Sequence, residues 1–119
     1  HGVDGLDEVS LAGPTLVGEL KYGEVREYQI KPEDFGIQPA PISALRVANP
    51  AESIARVKAV LANEPGPSLD IVLLNAGAAL YAAGLAKSIA RGIEQARAAI
   101  ASGAALNKLN EFVACTQTV

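Results

Sequence analysis

The chain has few aromatic residues and little cysteine. It contains two Phe, three Tyr and no Trp in 119 residues, although half of all residues are hydrophobic. A core must therefore be built from Ala, Leu, Val and Ile, which suits close packing of helices. The single cysteine, Cys115, cannot form an internal disulfide and has no metal-ligand spacing around it, so we expect an inert thiol in a reducing cytosol.

A concentration of positive charge is also absent. The net charge is −3, and no Lys/Arg cluster occurs, which argues against a nucleic-acid partner. The first residues are acidic where a signal peptide would be apolar, so we expect a cytoplasmic location. Residues 71–86 carry no charge but are fewer than the ~20 that a membrane span needs, which predicts a buried helix and no membrane partner.

The first eight residues combine three carboxylates with two glycines. A turn there would let the neighbouring side chains of Asp7 and Glu8 approach one cation, and Mg²⁺ prefers oxygen ligands while keeping several waters. The alternative is a solvated turn whose Asp side chains accept hydrogen bonds from nearby backbone amides. Asp7 and Glu8 are the candidate metal ligands, and no residue is assigned as catalytic or as a binder of an organic cofactor.

The next part of the chain predicts β structure. Residues 15–21 and 24–30 form a predicted hairpin around Tyr22-Gly23, with Val25, Tyr28 and Ile30 facing inward. Residues 32–36 predict one helical turn that begins with Pro and ends with Gly. Its acids, Glu33 and Asp34, are interpreted as helix-end charges and not as a second metal site. Residues 42–47 predict a short extended segment.

Helical signals dominate from Asn49 onward. Asn49-Pro50 predicts a capped start, and an apolar stripe follows at Ile54, Val57, Val60 and Leu61. Ser68 is the predicted cap of a second helix reaching residue 86, in which Gly77 allows close approach of a neighbour and Asn75 has a structural hydrogen bond. A third helix is predicted over 85–102 and a fourth over 104–113. Their predicted inward residues are Leu85, Ile89, Ile93, Ala96, Ile100, Leu106, Leu109, Phe112 and Val113, and residues 114–119 are expected to fray.

Five short sequence motifs occur in a particular order along the chain. They are His-Gly-Val-Asp-Gly-Leu-Asp-Glu at residues 1–8, Gly-Pro-Thr at 13–15, Pro-Glu-Asp-Phe-Gly-Ile at 32–37, Asp-Ile-Val-Leu-Leu-Asn-Ala-Gly-Ala-Ala-Leu-Tyr at 70–81 and Ser-Gly at 102–103. In order and spacing they resemble the anthranilate phosphoribosyltransferases across essentially the whole chain. The resemblance implies that Asp7 and Glu8 bind the Mg²⁺ that accompanies phosphoribosyl pyrophosphate.

The resemblance also implies a fold and an activity. The fold class is α/β: the C-terminal part of a nucleoside phosphorylase/phosphoribosyltransferase-type catalytic domain, with a β-hairpin region followed by a helical segment. The reaction transfers a phosphoribosyl group to anthranilate and releases pyrophosphate, in tryptophan biosynthesis. The family's Gly-Thr-Gly-Gly-Asp phosphate loop, anthranilate-contacting residues and small helical domain have no counterpart here. Residues 1–119 are therefore expected to be a partial catalytic domain that is inactive alone, from an enzyme that forms a homodimer through the absent N-terminal domain.

Two alternatives stay open at this point. Pyrimidine nucleoside phosphorylases share the architecture and break a related glycosidic bond, although the motifs Asp-Gly-Leu-Asp-Glu and Asn-Ala-Gly-Ala-Ala-Leu-Tyr favour the transferase. A non-catalytic folding or interaction fragment would instead expose apolar surface on the hairpin and on the helix that contains Ile71.

Overall fold

Strands precede helices, as predicted. The computed structural model describes residues 1–117, which fall in two compact units, His1–Arg46 and a second unit that begins at Val47. Within the described residues the elements are β1 (Thr15–Lys21), β2 (Glu24–Ile30), 3₁₀ turns at Pro32–Phe35 and Ile42–Leu45, α1 (Pro50–Leu61), α2 (Pro67–Ala82), α3 (Ile89–Ala101) and α4 (Ala104–Thr116). Among residues 1–117, no helix has both the length and the apolar character needed to cross a bilayer.

The two strands form the predicted antiparallel hairpin. Thr15 pairs with Ile30 at one end and Lys21 with Glu24 at the other. The two turn residues both have positive φ, 53° at Tyr22 and 81° at Gly23. Two-residue hairpin turns with this backbone twist match the twist of the flanking strands, and Gly adopts such φ values without steric cost.

The two faces of the hairpin differ in burial, and one prediction about them is wrong. Thr15 and Ile30 are buried on the inner face, and Tyr28 is half-buried there. Val25 was expected on this face but is 71% exposed. Side chains alternate along a strand, so a residue an odd number of positions from Tyr28 must lie on the opposite face. On that opposite face Val25 pairs with Leu20, which is also exposed. These two side chains confirm the exposed apolar surface predicted for the hairpin.

The connector after β2 contains the predicted helical turn and one that was not predicted. Pro32 begins the first 3₁₀ turn, and the carboxylate of Asp34 accepts a hydrogen bond of 2.9 Å from the Lys31 amide. This contact supports the structural interpretation of Asp34. The extended segment predicted for residues 42–47 is wrong at Ile42–Leu45, because the Ala44 amide donates to the Pro41 carbonyl at 2.9 Å and closes a turn.

Helix α1 begins as predicted but buries a different face. Asn49 Oδ1 accepts from the Glu52 amide at 2.9 Å, which confirms the cap. Of the expected stripe, Val60 is buried but Ile54 is 56% exposed and Val57 is also exposed. The covered face instead runs through Arg56 and Val60, and Arg56 Nη1 donates to Ser68 Oγ of α2 at 3.4 Å. Ile54 lies on the other side of the helix from that contact.

Helix α2 is shifted toward the N-terminus relative to its prediction. It begins at Pro67 after Gly66, not at a Ser68 cap, because a residue with fixed φ and no N–H fits the first helical position. It ends at Ala82, before Gly84. Leu73 and Leu74 are fully buried, whereas Val72 is partly exposed, so the helix is not buried all round. Asn75 Nδ2 donates to the Ile71 carbonyl at 3.0 Å, which is the structural role expected for Asn75.

The last two helices keep part of their predicted core. Helix α3 starts at Ile89, with Ser88 Oγ accepting from the Arg91 amide at 3.2 Å, so Leu85 precedes it and is exposed. Ile93, Ala96 and Ile100 are buried as predicted. In α4, Phe112 is 65% exposed and Val113 is exposed, against prediction. Helix α4 continues to Thr116, beyond its predicted end at Val113, and residues 118 and 119 lie outside the described part.

Two glycines bring α2 and α3 into backbone contact. A Cβ on Gly92 would lie 2.9 Å from Gly77 Cα and closer still to the Gly77 carbonyl oxygen. A Cβ on Gly77 would lie 2.7 Å from the Ile93 amide nitrogen. Real Cβ atoms do not approach backbone this closely, so the two helices can keep this separation only with glycine at both positions. The close approach predicted at Gly77 is confirmed.

We expect Gly92→Ala to destabilise the helical unit. Helix propensity alone would stabilise it by about 1 kcal/mol. The steric conflict with the Gly77 backbone opposes this gain, and overpacking of this kind costs roughly 1–3 kcal/mol or more. Urea unfolding followed by circular dichroism at 222 nm should give a lower free energy of unfolding than in the unmodified chain.

Gly18→Ala is the control for this comparison, because a Cβ at Gly18 meets nothing within 4 Å. Its unfolding free energy should stay within about 0.5 kcal/mol of the unmodified chain. A Gly92→Ala chain as stable as the unmodified chain would show that the helices do not depend on this contact.

Candidate metal-binding loop

The N-terminal residues pair with β1. Leu16 N donates to the His1 carbonyl at 2.8 Å, Val3 N donates to the Pro14 carbonyl at 3.0 Å, and Gly2 forms an antiparallel bridge with Thr15. Backbone pairing of this kind fixes position without using side chains. The acidic loop that follows is therefore attached to the hairpin at its beginning.

The loop then reverses direction at Gly2. The Gly2 amide donates to the Leu6 carbonyl at 2.7 Å, and the Gly5 amide donates to the Gly2 carbonyl at 2.9 Å. A Cβ at Gly2 would meet a carboxylate oxygen of Asp4 and would lie 3.0 Å from Ser10 Cβ. A side chain at Gly2 would therefore displace the Asp4 carboxylate and press against Ser10.

Asp4 and Ser10 link the two ends of the loop. Ser10 Oγ donates to Asp4 Oδ2 at 2.6 Å, and the Leu6 amide donates to Asp4 Oδ1 at 3.2 Å. The hydrogen bond from Ser10 and then that from the Leu6 amide hold the pKa of the Asp4 carboxyl below its ordinary value. The sequence signalled the second bond, since Asp side chains commonly accept from the amide two residues on. It carried no signal for a bond to a serine six residues away.

Asp7 and Glu8 lie at the exposed part of this loop. The Asp7 side chain is 96% exposed, Glu8 is exposed, and His1 Nδ1 lies 3.9 Å from Asp7 Oδ1. Asp4, in contrast, accepts a hydrogen bond from the Leu6 amide within the loop. The two interpretations of the acidic segment therefore apply to different residues. Asp4 accepts from the Leu6 backbone amide, and Asp7 and Glu8 remain the candidate ligands.

The donor set limits which cation could bind. Within residues 1–117, no three or more His, Cys, Asp or Glu side chains come together as a ligand group. Mg²⁺ is usually held by one or two carboxylates together with waters and substrate phosphates. Two adjacent exposed carboxylates fit that pattern and do not fit a closed site made only of protein ligands.

The pH dependence of the loop follows from Asp4. A carboxyl whose folded pKa is lowered contributes stability above its ordinary pKa of 3.8, and that stability is lost as the pH falls through the lower folded value. We expect Ser10→Ala to raise the pKa of Asp4 toward 3.8, since the main stabilising hydrogen bond is removed. A carboxyl-carbon NMR titration measures this directly.

Ser102→Ala serves as the control, because Ser102 Oγ bonds to the Ala99 carbonyl in the helical unit. It should leave the Asp4 titration unchanged. An Asp4 curve that is identical in Ser10→Ala and in the unmodified chain would contradict the assigned cause.

Comparison with known proteins places these features in a family. The family described as "Glycosyl transferase family, a/b domain" matches residues 1–106. An anthranilate phosphoribosyltransferase from Polynucleobacter necessarius subsp. necessarius (strain STIR1) is 60% identical over 118 residues, which is 99% of this chain and 35% of that protein. The chain thus spans about a third of the length of the curated relatives that it matches.

Solved structures agree with the sequence comparison. Anthranilate phosphoribosyltransferase from Thermus thermophilus superposes with a TM-score of 0.84 at 39% identity, over 93% of this chain and 33% of that chain. The Saccharomyces cerevisiae enzyme in complex with PRPP and Mg gives a TM-score of 0.84 at 26% identity, over 99% of this chain and 34% of that chain. The predicted resemblance and the α/β fold class are thereby confirmed. The chain belongs to the glycosyl transferase family whose a/b domain matches residues 1–106.

Proposed function

We propose that this chain forms the metal-binding part of an anthranilate phosphoribosyltransferase. The reaction would transfer the phosphoribosyl group of phosphoribosyl pyrophosphate to anthranilate and release pyrophosphate, as a step of tryptophan biosynthesis. One observation carries the proposal. Two adjacent, exposed carboxylates project from a loop that is fixed to the hairpin, in a chain 60% identical to a protein of that name.

Asp7 and Glu8 would hold Mg²⁺ through their carboxylate oxygens, directly or through water. When bound, the metal would neutralise negative charge that develops on the departing pyrophosphate. The two side chains would act as neither base nor nucleophile in this role. Their exposure favours a metal shared with a phosphate ligand, because a shared metal must keep coordination positions open for that ligand.

The chain spans about a third of its curated relatives, so we propose that residues 1–119 form a partial catalytic α/β domain that does not carry out the transfer alone. The matched relatives support anthranilate and phosphoribosyl pyrophosphate as substrates. The homodimer and the cytoplasmic location stay predictions.

A chimera tests the proposed function. In the Polynucleobacter necessarius enzyme, the segment aligned with this chain is replaced by this chain, and anthranilate-dependent release of pyrophosphate is measured. We expect an active chimera whose activity falls by at least about 10- to 100-fold in Asp7→Asn and in Glu8→Gln, because loss of a carboxylate that holds the metal should cost no less than loss of the outer groups that orient metal ligands. Higher Mg²⁺ concentration should restore part of that loss.

Glu33→Gln is the matched control, because it makes the same chemical change at an exposed acid of the first 3₁₀ turn. It should keep the activity of the parent chimera. A chimera without transfer activity would contradict the proposed function. Full activity in both loop variants would contradict the metal assignment.

A further inference from the structure

We propose that Asp4 and Ser10 are positioning residues that hold Asp7 and Glu8 ready for a divalent cation. The inference rests on the proposed function, since it concerns the same loop. Asp4 and Ser10 are not offered as metal ligands. Their role is to fix the chain on both sides of the two candidate ligands.

The hydrogen bond between Asp4 and Ser10 closes the loop with side chains alone. It joins Asp4 Oδ2 to Ser10 Oγ at 2.6 Å, and residues 5–9 lie between the two partners. Asp7 and Glu8 occupy the middle of this enclosed segment. Closing a short loop removes conformations that the chain would otherwise lose when a ligand binds.

Ser10 connects this link to the hairpin. Ser10 is fully buried, and its amide donates to Thr15 Oγ1 at 2.9 Å, where Thr15 is the first residue of β1 and is itself buried. Ser10 Oγ also accepts from the Ala12 amide at 3.0 Å. The hydroxyl therefore has a fixed orientation, with its proton directed at Asp4. Ser10 thus connects the Asp4 carboxylate, through two hydrogen bonds, to Thr15, the buried first residue of β1.

Both oxygens of Asp4 are engaged within the loop. One accepts from Ser10 Oγ, and the other accepts from the Leu6 amide, one residue before Asp7. The Gly2 amide holds the Leu6 carbonyl at 2.7 Å, so the peptide groups on both sides of Leu6 are fixed. Leu6 directly precedes Asp7, so these hydrogen bonds hold the chain immediately before the first candidate ligand.

The test uses Mn²⁺ as the probe and the chimera described above, with phosphoribosyl pyrophosphate present, because the rest of the enzyme supplies the phosphate loop that this chain lacks. Paramagnetic broadening of the Asp7 and Glu8 amide signals gives the Mn²⁺ dissociation constant. We expect Ser10→Ala and Asp4→Ala to weaken Mn²⁺ binding about tenfold, the lower end of the effect of groups that orient ligands. Asp4→Asn should be affected less, because its amide oxygen can still accept from Leu6.

Ser102→Ala is the matched control for Ser10→Ala, since it removes a hydroxyl that bonds to the Ala99 carbonyl far along the chain. It should leave the Mn²⁺ dissociation constant unchanged. Amide hydrogen exchange provides a second readout that needs no metal. Exchange at Leu6 should be faster in Ser10→Ala and in Asp4→Ala than in the control, while protection of the β1 amides is kept.

The possible outcomes distinguish a failure of the positioning role from a failure of the proposed function. If Asp7→Asn and Glu8→Gln lose Mn²⁺ while Ser10→Ala, Asp4→Ala and Asp4→Asn bind it normally, the positioning role is overturned and the proposed function stands. A lower melting temperature with an unchanged Mn²⁺ dissociation constant would also overturn it, since that is a purely structural effect. If Asp7→Asn and Glu8→Gln bind Mn²⁺ normally, or the parent chimera shows no broadening, the metal assignment fails and the inference fails with it.

Discussion

The candidate site depends on backbone pairing between residues 1–3 and residues 14–16. That pairing places Gly2 beside Thr15 and starts the acidic loop at a fixed point on the hairpin. The loop then has a second attachment at Ser10, whose amide bonds to Thr15 Oγ1. One strand residue, Thr15, thus supports both ends. Carboxylates on an unattached acidic segment would have to be ordered at the moment of binding, at a cost in affinity.

The helical unit has a comparable constraint in the contact between Gly77 and Gly92. Two helices whose backbones touch need small residues at the crossing, and here neither position has room for one added carbon. Burial of Leu73 and Ile93 accompanies this crossing. A core with few aromatic residues suits such an arrangement, because Ala, Leu and Ile fill the narrow space that close helices leave.

Local chemistry explains which parts of the fold were predictable. The Tyr22-Gly23 turn and the Asn49 cap each depend on residues only a few positions apart, so the sequence identified both. The prediction that Val25 faces inward failed because a one-residue error in strand phase moves a side chain to the other face. Ile54 and Phe112 failed because apolar spacing shows that a helix has a stripe, but not which neighbour covers it.

The candidate site likewise combines features that nearby residues determine with contacts that arise only when the chain folds. Asp7 and Glu8 were proposed as ligands because adjacent carboxylates near glycines suit a divalent cation, and chiefly because the motifs of the chain resemble those of the anthranilate phosphoribosyltransferases. The bond from Ser10 to Asp4 could not be predicted, because it depends on how the loop folds back against β1. Gly2 shows the consequence: a side chain there would meet Asp4 and Ser10, which reach it only in the folded chain.

The most direct test of the account is an anomalous difference map from crystals of the chimera, in which this chain replaces its aligned segment of the Polynucleobacter necessarius enzyme, grown with Mn²⁺ and phosphoribosyl pyrophosphate. The account predicts a manganese peak beside the carboxylates of Asp7 and Glu8, with Asp4 still bonded to Ser10. A peak beside Glu33 and Asp34, or an ordered loop with no peak, would contradict the assignment of Asp7 and Glu8 as metal ligands.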